Sequence, residues 1–89
     1  MKRLPTLPPK VRARVRAAEN RLRSRATGAH VHPTAWVMRS AWIERGATVG
    51  AHSFVNRGVE VAAGAVVTRS TEPNGLYAGV PARRVKDLD

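Results

Sequence analysis

The chain has 89 residues, with 16 Lys or Arg against 6 Asp or Glu, two Trp, one Tyr, one Phe and no cysteine. That length holds one small domain with a thin core of its own, and the lack of cysteine excludes a disulfide framework or a thiolate metal site. No apolar run approaches the roughly 20 residues of a membrane span, and no apolar leader marks a secretory signal; the Arg-rich start imitates an organellar transit peptide, but a cytoplasmic location is the default expectation.

The charge is uneven. Residues 1–25 hold nine Lys or Arg and one acid, Glu19, a balance of +8; residues 26–89 hold seven basic residues and five acids, a balance of +2. Residues 1–27 therefore read as a basic extension carrying a helix. MKRLPTLPP, with three prolines, reads as an extended lead-in, and Pro9 suits the first turn of a helix. Residues 10–25, KVRARVRAAENRLRSR, are rich in helix formers. Val11, Val15, Ala18 and Leu22 draw one apolar stripe, which is expected to pack on the rest of the domain. Thr27-Gly28 is the expected stop.

From Ala29 the periodicity changes to six. Val31, Val37, Ile43, Val49, Val55, Val61 and Val67 are β-branched without a gap, and two residues before each stands Ala29, Ala35, Ala41, Ala47, Ser53, Val59 or Ala65. An internal repeat outranks local propensity in such a stretch. The expected form is an all-β solenoid over residues 28–69, with three hexads to a coil of eighteen residues and about two coils in all. The β-branched residues point inward, where they suit a pleated, stacked interior. Gly46, Gly58 and Gly64 serve the turns. Residues eighteen apart should stack: His30 on Thr48 on Val66, Trp36 on Phe54, Trp42 on Glu60. Trp36, Phe54 and Met38 would make an outer apolar patch to be covered by the helix or a neighbouring chain. Residues 70–89, STEPNGLYAGVPARRVKDLD, read as a closing loop and tail, with Val80, Val85 and Leu88 covering the end of the last coil.

The gapless hexads from Ala29 to Val67, the segment HVHPTAWV and the tail AVVTRSTEPNGLYAGVPARRVKDL with its Ala78-Gly79-x-Pro81-Ala82 element resemble the hexapeptide-repeat acyltransferases. The likeness is closest to the C-terminal coils of the sugar and antibiotic O-acetyltransferases. It implies a short left-handed parallel β-helix with an N-terminal α-helix and a C-terminal capping tail, assembled as a homotrimer. It also implies acetyl-coenzyme A (acetyl-CoA) as acyl donor, a small hydroxyl acceptor and a histidine as general base. In those relatives the catalytic histidine lies in a longer upstream region; here a basic helix stands in that place.

Histidine is the side chain whose ordinary pKa lies nearest neutrality, and the chain has three. His30 and His32 flank Val31 and point outward, with His32-Pro33 read as a structural opening motif. His52 falls at a turn. His30 and His52 are the candidate catalytic bases. Arg39 and Arg57, stacked at a corner, and Arg83, Arg84 and Lys86 in the tail are the candidate contacts to coenzyme A phosphates, since basic side chains suit phosphate. No paired histidine spacing argues for a metal. Two other readings remain: a non-catalytic trimeric assembly module with a partner-binding basic helix, and nucleic-acid binding through the basic arm, which offers charge but no aromatic platform.

Overall fold

The structure, a computed structural model, describes residues 7–89. Most of the MKRLPTLPP lead-in and its two basic residues, Lys2 and Arg3, lie outside the described residues. Helix α1 spans Pro9–Thr27, with proline in its first turn and Arg25 in its last, where a cation suits the helix dipole. It stops at Gly28, which adopts φ 74° and returns its N–H to the Ser24 carbonyl at 2.9 Å. A left-handed glycine is the common helix terminator.

Seven two-residue strands follow: β1 (His30–Val31), β2 (Trp36–Val37), β3 (Trp42–Ile43), β4 (Thr48–Val49), β5 (Phe54–Val55), β6 (Glu60–Val61) and β7 (Val66–Val67). Two longer strands, β8 (Gly75–Ala78) and β9 (Arg83–Asp87), complete the set. They form three separate sheets in the orders β1-β4-β7, β2-β5 and β3-β6-β8-β9. In the first two sheets every pairing is parallel between residues eighteen apart, such as His30 with Thr48 and Trp36 with Phe54.

The expected fold class is overturned. The described residues are not an all-β solenoid, left-handed or otherwise. They comprise one long helix and three short sheets, none closed, and the third sheet mixes parallel with antiparallel strands. The physical reason lies in the tail. Seven hexads supply the third sheet with only β3 and β6, so the open edge of β6 is paired by β8, which turns at Gly79 and runs back as the antiparallel β9. The tail is thus a strand pair and not a capping loop. Val80, Val85 and Leu88 stay exposed, and Tyr77 is the buried side chain instead. The second sheet closes its edge differently. Thr71, buried, donates its N–H to the Phe54 carbonyl at 2.8 Å, and its hydroxyl accepts the Asn56 N–H at 3.0 Å. One residue there does the work of a third strand.

The core is the two residue columns read from the hexads. Ala29, Ala35, Ala41, Ala47, Ser53, Val59 and Ala65 are all buried, as are Val31, Ile43, Val49, Val55, Val61 and Val67; Val37 is half-buried. Each buried aliphatic side chain contributes roughly 1.5–3 kcal/mol. The corners are β-turns closed by bonds such as Ala47 N–H to the Glu44 carbonyl at 3.1 Å. Their third position has positive φ at Gly46, His52, Gly58 and Gly64, which a type II turn requires.

The helix docks by its polar side, the reverse of the expected apolar stripe. Asn20 is 3% exposed and donates its side-chain amide to the carbonyls of His32 and Ala35, both at 2.9 Å, and more distantly to Pro33. The Ser24 hydroxyl donates to the Asn20 carbonyl at 2.8 Å and accepts the Val31 N–H at 3.0 Å. The Arg16 guanidinium lies 3.7 Å from the Trp36 ring centroid, which covers part of the Trp36, Phe54 and Met38 patch. Val11, Val15 and Leu22 face solvent.

Candidate functional site

The outer face of the first sheet carries two rows of side chains, His30–Thr48–Val66 and His32–Gly50–Thr68, because Val31, Val49 and Val67 between them point inward. The lower part of this face, with Ser24 at its edge, forms a shallow groove of about 310 Å³ lined by His30, His32, Thr48 and Gly50. Past the end of β7 lies a second, separate groove of about 350 Å³ lined by Thr68, Arg69, Ser70, Thr71, Arg83 and Arg84, with Tyr77 and Ala82 in its wall. Strands in a sheet are spaced about 4.8 Å, so two strand steps put the backbone of His30 roughly 10 Å from that of Val66 on β7, the strand that runs into the basic groove. The tail builds that groove: Val66 exchanges bonds with Gly79 and Ala82, at 3.0 and 2.8 Å, and this carries Arg83 over the end of the sheet.

The three histidines have different surroundings. His32 Nδ1 lies 2.9 Å from the Thr34 hydroxyl and 3.1 Å from the Thr34 backbone nitrogen. That hydroxyl already accepts the His52 N–H at 2.9 Å, so its own proton is available to His32. Two donors on Nδ1 place the imidazole proton on Nε2. His32 is thereby held as a structural acceptor. His52 is an exposed corner residue with φ 57°, and it lines none of the described grooves. His30 is exposed on the groove, and its ring has no hydrogen-bond partner among the described residues.

The five candidate phosphate contacts are not brought together. Only Arg83 and Arg84 line one groove. Arg39 lines a separate, open groove of about 660 Å³ between α1 and the residues after β2, together with Glu19, Leu22, Arg23 and Met38. Arg57 is an exposed corner, and Lys86 pairs with Leu76 on β9. Arg84 is committed to the tail itself. It donates Nε to Asp87 at 2.9 Å, Nη1 to the Pro73 carbonyl at 3.1 Å and Nη2 to the Asn74 carbonyl at 3.2 Å. Tyr77 first, and then Asp87, raise its pKa from the ordinary arginine value. Arg83 makes no such bonds. The groove residues missed in the sequence are Thr68, Arg69 and Ser70, a run of hydroxyls around one cation that closes the last hexad. Among the described residues no three of His, Asp and Glu gather as a metal-ligand set.

Compared with protein-family models, with curated proteins and with solved structures, the chain matches none. Among the described residues no helix is long and apolar enough to cross a membrane.

Proposed function

We propose that the protein is an acetyl-CoA-dependent O-acyltransferase acting on a sugar or similar hydroxyl acceptor, or a minimal relative of one. The observation that carries the reading is that unpartnered His30 stands on the same sheet whose last strand, β7, ends at the groove of Thr68, Arg69, Ser70 and Arg83. Phosphates of the donor suit the basic end, where Arg83 is free to make charge-assisted bonds. His30 at the other end takes the proton of the acceptor hydroxyl as that oxygen attacks the thioester carbonyl. The carbon–sulfur bond then breaks, and the coenzyme A thiolate leaves and recovers the proton from the imidazolium. The likeness of the hexads and tail to the hexapeptide-repeat acyltransferases supports the same assignment, and with it a homotrimer and a cytoplasmic place of action. His52 is the less suited base, since it lines no groove.

Calorimetry with coenzyme A tests the reading directly. Arg83→Ala should weaken binding, while His30→Ala should leave binding intact and remove thiol release from acetyl-CoA. Absence of any heat of binding at millimolar coenzyme A would sink it.

A second reading, a non-catalytic assembly module, is favoured by Trp42, Val80 and Val85, which are 54%, 72% and 59% exposed. A partner chain seated on these side chains would take them out of water. An oligomer by sedimentation with no coenzyme A binding would select it.

A further inference from the structure

We propose that α1 is a membrane-surface helix that holds the protein against a bilayer rich in anionic lipids. This goes beyond the acyltransferase reading and does not rest on it. The docking geometry carries it. Asn20, Ser24 and Arg16 turn one side of the helix to the domain, so the ridge opposite them is open to solvent, with Val15 and Leu22 also bordering the open grooves between α1 and residues 36–39. At 100° per residue, Val11, Val15 and Leu22 fall within about 40° of one another on that side. They are 39%, 41% and 65% exposed.

Basic side chains flank this ridge. Lys10, Arg14, Arg21 and Arg25 run along one flank and are all exposed, while Arg12 and Arg23 lie on the other, beyond Glu19 and along the grooves against the domain. Over residues 10–25 there are seven basic residues and one acid, a balance of +6. None of the seven forms an ion pair among the described residues; the ion pair present is Arg84 with Asp87 in the tail. An apolar ridge beside a cationic flank is the layout of an interfacial helix. The ridge enters the boundary of the acyl chains, and the long side chains of Lys10, Arg14, Arg21 and Arg25 reach the lipid phosphates beside it.

Charge complementarity selects an anionic surface, and the ridge selects lipid over nucleic acid. A nucleic-acid backbone would engage the arginine flanks and leave Val11, Val15 and Leu22 in water. The ridge is narrow and built of small aliphatic residues. Attraction to anionic headgroups must therefore supply most of the binding, and a neutral bilayer should not hold the protein.

Co-sedimentation of the full chain with vesicles tests this. Vesicles of phosphatidylcholine with about 30 mol% phosphatidylglycerol should bind it, vesicles of phosphatidylcholine alone should not, and salt at about 0.5 M should release it. The charge-neutral ridge variant Val15→Ser/Leu22→Ser and the flank variant Arg14→Glu/Arg21→Glu should each weaken binding roughly tenfold or more. All four positions are exposed, so the thermal melt checks that the fold is kept. The proposal is overturned if the wild type ignores the anionic vesicles. It is also overturned if the ridge variant binds them as well as the wild type, which would leave general polyanion attraction of the nucleic-acid kind. A third overturning result is a lipid-free oligomer that the ridge variant dissociates, which would make the ridge a contact between copies.

Discussion

The backbone N–H of His52 donates to the hydroxyl of Thr34, eighteen residues earlier, at 2.9 Å. The backbone N–H of Gly58 likewise donates to the hydroxyl of Ser40 at 3.0 Å. In both cases a short hydroxyl residue fills the corner place that glycine holds elsewhere, and it caps the corner stacked against it. His52 differs from Gly58 in one respect. It is a β-carbon residue held at φ 57°, in the region that L side chains enter at a cost.

Replacing it tests this corner. His52→Gly keeps the backbone N–H for Thr34 and removes the conformational strain, less some gain of chain freedom in the unfolded state. We expect a net stabilisation of about 0.5–1 kcal/mol, seen as a rise of roughly 2–8 °C in melting temperature. A lower melting temperature would show that the imidazole makes a stabilising contact. Acyl transfer, if His30 is the base, should be unchanged by this substitution.

The helix docking predicts an inverted ranking of polar and apolar substitutions. Asn20→Leu removes the amide that serves the His32 and Ala35 carbonyls and leaves buried acceptors unpaired, at a cost of about 2–3 kcal/mol. Leu22→Ala, at an exposed position, should stay within about 0.5 kcal/mol of the wild type. Urea denaturation gives both values. Hydrogen exchange in α1 should rise for Asn20→Leu alone. The reverse ranking would mean that the apolar stripe, and not Asn20, holds the helix.

Much of the core was legible because the interior repeats its chemistry every six residues: the β-branched column and the small column both proved inward, and the stacking of His30 on Thr48 was readable from arithmetic. The tail was not legible by the same rule. Tyr77 pairs with Val61 across sixteen residues, so the period breaks where β8 begins, and the strand pair that overturns the solenoid class leaves no hexad signature. Helix docking was hidden for another reason. Hydropathy finds apolar stripes, whereas Asn20 is buried by what it donates. The basic groove was half-readable: Arg83 and Arg84 stood out as cations, but Arg84 is taken up by the Pro73 and Asn74 carbonyls, and the contribution of Arg69 depends on where the tail crosses the first sheet.

Two glycine corners separate conformational from steric cost. Gly58 and Gly64 have φ 67° and 74°, so alanine at either is strained by about 1 kcal/mol. A methyl at Gly64 meets open space, whereas one at Gly58 runs into the Asn74 side-chain oxygen. The Asn74 backbone is fixed, since its N–H donates to the Arg57 carbonyl at 3.0 Å, so relief must come from turning its side chain out of the way. Gly58→Ala should therefore be the more damaging by about 0.5–1.5 kcal/mol, the cost of a displaced rotamer. The double variant Gly58→Ala/Asn74→Gly should recover part of the difference. Equal losses at the two glycines would remove Asn74 from the account.

The assignment of His30 over His32 as the free imidazole can be read spectroscopically, apart from any activity. With Nδ1 of His32 accepting from the Thr34 hydroxyl and from its backbone N–H, the neutral ring must carry its proton on Nε2. Nitrogen chemical shifts of the two neutral rings should show His32 almost wholly as the Nε2–H tautomer and His30 as a mixture. Thr34→Val deletes the hydroxyl donor and should move His32 toward the mixed pattern while leaving His30 alone. The same variant also strips the acceptor from the His52 N–H, so it should destabilise the fold by about 1–2 kcal/mol. A mixed tautomer for His32 in the wild type would show its Nδ1 lone pair to be free and make it a third candidate base, because a free ring lone pair is what accepts the proton of an acceptor hydroxyl.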